Sequence, residues 1–278
     1  MAGNLEGKVA FITGAARGQG RSHAVTLARR GADIIAVDLC KQVDTVRYPL
    51  ATPDDLTRTV ELVEEIGGRI VATQADVRDF GALQAALNQG VDEFGRLDVV
   101  SANAGILSFG RLEELDEVTW QDVIDINLTG VWHTVKAAIP HLRAAGGGSI
   151  ILTSSAGGVR AMENIGHYSA AKHGLIGMMR TLAKELASDM VRVNIVLPTA
   201  VDTDMIHNNF TYELFAPDLS EAERTREVLE SRFAGDNLLP IPWVDAADIS
   251  NAIAWLASDE ARYVTGVLLP VDGGLLAK

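Results

Sequence analysis

The 278 residues suffice for one or two domains. With 47% hydrophobic and 22% charged residues, they read as an ordinary folded chain in which no stretch approaches the ~18–20 apolar residues of a membrane span. The 24 basic and 37 acidic residues leave a net charge of −13, a field that repels nucleic acid and anionic lipid, so neither is expected as a partner. Cys40 is the single cysteine, which excludes an internal disulfide and a cysteine-cluster metal site. Residues 1–8 show no basic region followed by an apolar run, so no export signal is expected and a cytoplasmic location is.

Along the chain, short β-branched and apolar runs at 9–12, 33–37, 70–73, 97–101, 149–153, 191–196 and 267–271 alternate with longer stretches of helical spacing. That is the rhythm of βα units around a parallel sheet. Ile150, Ile151 and Leu152, like Val193, Ile195 and Val196, form nearly continuous apolar runs, as strands covered on both faces do. The expected fold is therefore α/β: a single-domain, doubly wound, seven-stranded parallel sheet of Rossmann type with helices on both faces, spanning 1–278.

Helix starts are legible as well. One helix begins near Arg21; Thr52 before Pro53 and Asp55 starts another over 53–66; longer helical stretches run over about 116–145 and 166–188. Ser220 three before Glu223 predicts a helix over 221–233, and Asp245 three before Asp248 one over 246–257. Two segments exceed a minimal βα alternation, 41–51 and about 199–243. Both follow the C-terminal ends of predicted strands, the edge at which open α/β sheets hold ligands.

The first strand runs into Thr13-Gly14-Ala15-Ala16-Arg17-Gly18-Gln19-Gly20. Glycines there permit a tight turn, a close backbone approach to a pyrophosphate and helix-on-strand packing, although a glycine triplet alone also fits a tight turn without a ligand. Asp38, about 20 residues on at the end of the second strand, adds the acid that accepts from adenosine ribose hydroxyls. A carboxylate repels a 2′-phosphate and Leu39 offers no cation to hold one, so NAD is preferred to NADP. Arg17 pulls the other way if its guanidinium lies near the adenosine, or turns to solvent.

Tyr168 and Lys172, one helical turn apart, share a face. A neighbouring ammonium and a positive nicotinamide favour the phenolate and make Tyr168 a proton acceptor; a solvent-facing pair is the bland alternative. Ser155, after the fifth strand, brings a hydroxyl to the same crevice. The six histidines contain no His-X-X-X-His pair, His167 and His173 fall on different helix faces, and His133 and His141 read as surface or interface residues, so no metal is expected.

The joint order of Thr13-Gly-X-X-X-Gly18-X-Gly20, Ala102-Asn103-Ala104-Gly105, Ser155 and Tyr168-X-X-X-Lys172 resembles the short-chain dehydrogenase/reductase family over essentially the whole chain. The resemblance implies an Asn127-Ser155-Tyr168-Lys172 tetrad. In it Tyr168 takes the substrate proton, Lys172 lowers the tyrosine pKa and binds the nicotinamide ribose, Ser155 orients the reacting oxygen and Asn127 holds a water-linked proton path. It also implies that Asn103 stabilises the central sheet, that Asp76 and Val77 meet the adenine, and that Val271-Asp272-Gly273-Gly274 is a C-terminal signature. Candidate NAD contacts are then Gly14, Arg17, Gly18, Gln19, Gly20, Asp38, Leu39, Asp76, Val77, Asn103, Ala104, Gly105, Tyr168, Lys172, Pro198 and Thr203. Pro198-Thr199 departs from the family's usual Pro-Gly.

Gly-Ala-Ala-Arg-Gly-Gln-Gly-Arg at 14–21 and Tyr-Pro-Leu-Ala-Thr-Pro-Asp-Asp-Leu at 48–56 are similar to the mycofactocin-associated, carveol-dehydrogenase-like subgroup. That implies tightly held NAD recycled in place by a mycofactocin-type redox partner. The 41–51 segment then reads as a flap over the adenosine with Val46, Tyr48, Pro49 and Leu50 as apolar contacts, or else as a decorative loop with ordinary exchange. The 199–243 segment, with Met205, Ile206, Phe210, Tyr212, Leu214 and Phe215, lines substrate or a subunit interface. The expected activity is interconversion of a hydrophobic secondary alcohol, such as a carveol-like terpenoid, and its ketone. The alternatives are a 3-oxoacyl or steroid reductase with exchanging cofactor and a non-catalytic NAD-sensing protein. The family resemblance also implies a homotetramer.

Overall fold

The computed structural model describes residues 4–278; the part of the export-signal expectation that rests on residues 1–3 lies outside the described residues. The strands are β1 (Val9–Thr13), β2 (Asp33–Asp38), β3 (Ile70–Gln74), β4 (Val99–Ala102), β5 (Gly148–Thr153), β6 (Val191–Pro198) and β7 (Leu268–Val271). They pair in parallel in the order β3-β2-β1-β4-β5-β6-β7. The order reverses between β1 and β4, and at such a switch point the loops diverge and leave a crevice beyond the strand ends.

Helices α1 (Gly18–Arg29), α2 (Pro53–Glu64), α3 (Phe80–Phe94), α4 (Glu117–Ile124), α5 (Gly130–Ala144), α6 (Gly166–Glu185), α7 (Asn209–Phe215), α8 (Arg226–Asp236) and α9 (Ala246–Ala257) complete the chain. Leu27 of α1, Leu56 and Val63 of α2, and Ile249 and Ile253 of α9 bury against Ala10, Ile12 and Ile34 on one sheet face. Leu83 and Leu87 of α3, Val131 and Val135 of α5, and Leu175 and Met179 of α6 cover Val9, Phe11 and Ile150 on the other. Alternate residues of β1 therefore serve opposite cores, which is why the central strands read as unbroken apolar runs.

Several boundaries differ from the sequence reading for identifiable reasons. The expected helix over 221–233 is two pieces: the Ser220–Glu223 capping box closes only a 3₁₀ turn at Glu221–Glu223, and Thr225 caps α8 anew by accepting from the Val228 N–H. The 116–145 stretch is α4 and α5 joined by a π-helical turn at Asp125–Thr129. The helix expected to 188 ends at Glu185, followed by a 3₁₀ turn at Ala187–Asp189 and Met190 with φ +57°.

Candidate active site

The glycine loop is shaped by contacts that leave no room for side chains. A Cβ on Gly20 would lie 1.9 Å from the Gly14 carbonyl oxygen, and one on Gly14, whose φ is +67°, would lie 2.8 Å from Ala104 Cα. Asn103 fixes that approach by donating from Nδ2 to the Thr13 and Gly14 carbonyls at 3.1 and 3.3 Å. From the other side, the Thr59 hydroxyl of α2 reaches the Ala15 and Ala16 carbonyls, both at 3.0 Å. Arg17, at the N-cap of α1, makes no side-chain cap, whereas α2, α3, α4, α7 and α8 all have one. Free N–H groups at the positive end of a helix, in a cradle made only of backbone, suit a pyrophosphate.

A cleft of about 960 Å³ follows this loop. It gathers Gly14, Arg17, Gly18, Gln19, Gly20, Asp38, Leu39, Asp76, Val77, Asn103, Ala104, Gly105 and Thr203, thirteen positions singled out from sequence. Asp38 closes one end, where its carboxylate accepts from the Ala16 N–H at 2.9 Å and the Cys40 N–H at 3.0 Å. Burial and the neighbouring carboxylates push the Cys40 thiol up to about 12, so it is not a nucleophile.

Beyond the glycine loop a second cavity of about 1330 Å³ opens, lined mostly by apolar groups including Leu107, Phe109, Met162, Ile206 and Phe215. Ser155, Tyr168 and Pro198 lie on its wall, and it meets the first cleft at Gln19, Thr203 and Met205. Lys172 and Asn127 stand behind that wall instead of on it. The Lys172 ammonium lies 5.6 Å from the Tyr168 ring centre and donates to the Thr153 carbonyl at 2.8 Å. Both Asn127 amide groups are taken by Ile106, Nδ2 donating to its carbonyl and Oδ1 accepting from its N–H, each at 2.8 Å. Gly105 fits between the two: a Cβ there would be 3.2 Å from Asn127 Oδ1 and 3.5 Å from Lys172 Nζ.

Burial dominates the titration of the Tyr168–Lys172 pair. It raises Tyr168 above the usual phenol range, opposed by the Ser155 hydroxyl, and lowers Lys172 from 10.5 to about 8. Among the protein's own groups, removing the phenolate from water outweighs Ser155; the expected lowering calls on Lys172 together with the positive nicotinamide.

The two additions meet over the cleft, a feature the sequence did not disclose. Gln42 organises 41–51 from within, donating to the carbonyls of Val43, Val46 and Tyr48 and accepting from the Leu50 N–H. It is the only side-chain amide in that segment, which was the available signal. Val43, Val46 and Tyr48 are buried, and the Tyr48 hydroxyl accepts from the Leu107 N–H at 3.2 Å. Thr45 donates to Asp122, which also receives Arg78, the partner of Asp76. Arg47 stacks on Phe210 with its guanidinium 4.2 Å from the ring centre. Arg17 neither turns to solvent nor waits for a phosphate: it donates to the Pro49 carbonyl at 2.5 Å and to Asp204 at 3.1 Å, joining both additions to the glycine loop.

Among the described residues no group of acidic, histidine and cysteine side chains could hold a metal, and no helix is long and apolar enough to cross a membrane. The short chain dehydrogenase family matches residues 8–213. The (−)-trans-carveol dehydrogenase of Rhodococcus erythropolis is 53% identical over 276 residues, covering 99% of each chain. The structure of carveol dehydrogenase from Mycobacterium avium in complex with NAD superposes with a TM-score of 0.97 at 56% identity, covering 99% of this chain and 100% of that one. A short chain dehydrogenase from Mycobacterium paratuberculosis bound to NAD gives 0.90 at 44% identity with the same coverage. A match along that span, with such identity over nearly the full length, means that this protein belongs to the short-chain dehydrogenase family.

Proposed function

We propose that the chain is an NAD-dependent oxidoreductase interconverting a hydrophobic secondary alcohol, of the carveol-like terpenoid class, and its ketone. The observation that carries this reading is the meeting of the two cavities, a backbone cradle closed by Asp38 on one side and an apolar chamber bearing Ser155 and Tyr168 on the other. NAD, when bound, supplies the hydride acceptor. Ser155 orients the substrate hydroxyl and Tyr168 takes its proton. Lys172, held by Thr153 beside the Tyr168 ring, is mostly cationic near neutrality at a pKa of about 8 and favours the developing phenolate. Asn127 fixes the Ile106 backbone next to it through one hydrogen bond at each end of its amide, and holds a water-linked proton path with the hydrogen-bonding capacity that remains.

The latched 41–51 segment supports tight retention of NAD, with in-place recycling by a mycofactocin-type redox partner. The whole chain then acts as one dinucleotide-binding and catalytic domain, at work in the cytoplasm. Exposed Trp120, Trp132, Trp255 and Tyr263 on and beside α4, α5 and α9 support the homotetramer expectation.

The test is single-turnover reduction of retained NAD by a panel of lipophilic alcohols, followed by reduced-nicotinamide absorbance. We expect rapid reduction by cyclic terpenoid alcohols, and a rate about 10²–10⁴-fold lower in Tyr168→Phe. No reduction by any alcohol would favour the NAD-sensing alternative, and preference for acyl or steroid substrates with free exchange of NAD would favour the reductase one.

A further inference from the structure

Where the two cavities join, the glycine loop contributes a side chain that is no part of its backbone cradle. Gln19 lines both the dinucleotide cleft and the apolar chamber. Its Oε1 is buried and has no hydrogen-bond partner within the protein. A buried amide oxygen is satisfied by a donor, and here that donor comes from whatever fills the two cavities, water in the empty protein and ligand in the loaded one.

The location narrows what that donor is. Thr203 and Met205 share the junction with Gln19, and Ser155 and Tyr168 lie on the wall of the chamber it opens into. For hydride to pass between dinucleotide and substrate, the nicotinamide end has to occupy this junction. Three kinds of donor then come near: the substrate hydroxyl, the ribose hydroxyls and the carboxamide N–H groups. The substrate hydroxyl is taken by Ser155 and Tyr168 in the reading above, and the ribose falls to Lys172. The carboxamide remains, and a side-chain oxygen is its complement.

We propose that Gln19 orients the cofactor, its Oε1 accepting from the nicotinamide carboxamide N–H and so selecting the ring face that turns toward the apolar chamber. This rests on the NAD reading and adds a contact that the glycine pattern does not specify, since the pattern accounts for the backbone at this position and leaves the side chain open.

Equilibrium binding to protein stripped of dinucleotide tests it with three probes: NAD, ADP-ribose, which lacks the nicotinamide, and the 3-acetylpyridine analogue of NAD, in which a methyl replaces the amide nitrogen. The wild-type chain should bind the acetylpyridine analogue about tenfold more weakly than NAD. Gln19→Met keeps the side-chain length and removes the acceptor. It should bind NAD and the analogue alike, with ADP-ribose affinity unchanged. Equal weakening of NAD and ADP-ribose in the variant would assign Gln19 to the phosphates or the fold and overturn the inference. Indifference of the wild-type chain to the amide would overturn it without reference to any variant, so a poorly folded Gln19→Met leaves the question decidable. A wild-type chain that binds neither NAD nor ADP-ribose would instead remove the NAD reading, and this contact with it.

Discussion

Asp38 does two things with one carboxylate, and they can be separated. One oxygen accepts from the Ala16 N–H in the glycine loop and the other from the Cys40 N–H, where the chain enters the 41–51 segment at a φ of +51°. In the proposed NAD-bound state the same charge opposes a 2′-phosphate. In Asp38→Asn the amide nitrogen must oppose one of those N–H donors, leaving a donor unpaired at a cost of about 1–3 kcal/mol. Loss of the negative charge should also relax the preference for NAD over NADP by roughly tenfold. Affinities for both dinucleotides, with a melting curve alongside, check the two effects; an unchanged NAD-to-NADP ratio would mean that another group sets the preference. Asp38, Ser155 and Tyr168 were legible because motif spacing fixes them relative to strand ends. The partners of Arg17 were not, because they come from residues 32 and 187 positions away in the chain.

At the scale of elements, the two additions were visible as excess length and as apolar side chains, but not as a joined pair. Local pattern carries no information on which loops meet across a crevice. For the same reason the π-helical turn at Asp125–Thr129 could not be read from a stretch whose apolar spacing is helical throughout. The join itself has measurable consequences. Arg47 on Phe210 is a stacking contact between the flap and α7 of the second addition, of a kind worth about 0.5–1 kcal/mol at partly exposed sites. If that contact helps to hold the flap closed over NAD, Arg47→Ala and Phe210→Leu should each speed NAD release roughly two- to fivefold. The double variant should be no faster than either single one, because both remove the same contact. Release timed by exchange of retained NAD against a labelled pool gives all three rates. Unchanged release in both single variants would show that Gln42 and Arg17 suffice to hold the flap.

Over the whole molecule, residues far apart in sequence close one structure around the sheet, and one of these closures is built to fail in acid. His23 on α1 is fully buried, with Nδ1 2.8 Å from the Ser250 hydroxyl on α9. The Ser250 hydroxyl also meets the Ala246 carbonyl at 2.8 Å and the Ser22 hydroxyl at 2.7 Å, so α1 and α9 are tied by one small, largely buried network. Burial lowers the imidazole from 6.5 to about 3, the Asn103 side chain opposing only in part. Between those values the unfolded chain binds a proton that the folded one refuses, so stability present above pH 6.5 drains away as the pH falls toward 3. By about pH 4.5 the loss amounts to roughly 2–3 kcal/mol, or about 5–10 °C in melting temperature for a chain near this size. Gln at position 23 still offers Ser250 a hydrogen bond and has nothing to titrate. His23→Gln should therefore melt less steeply with acid than the wild type by about that margin, while the acidic side chains, common to both, contribute equally to each. Parallel melting curves for the two proteins from pH 7 to 4.5 would mean that the α1–α9 contact opens to water before the histidine is reached.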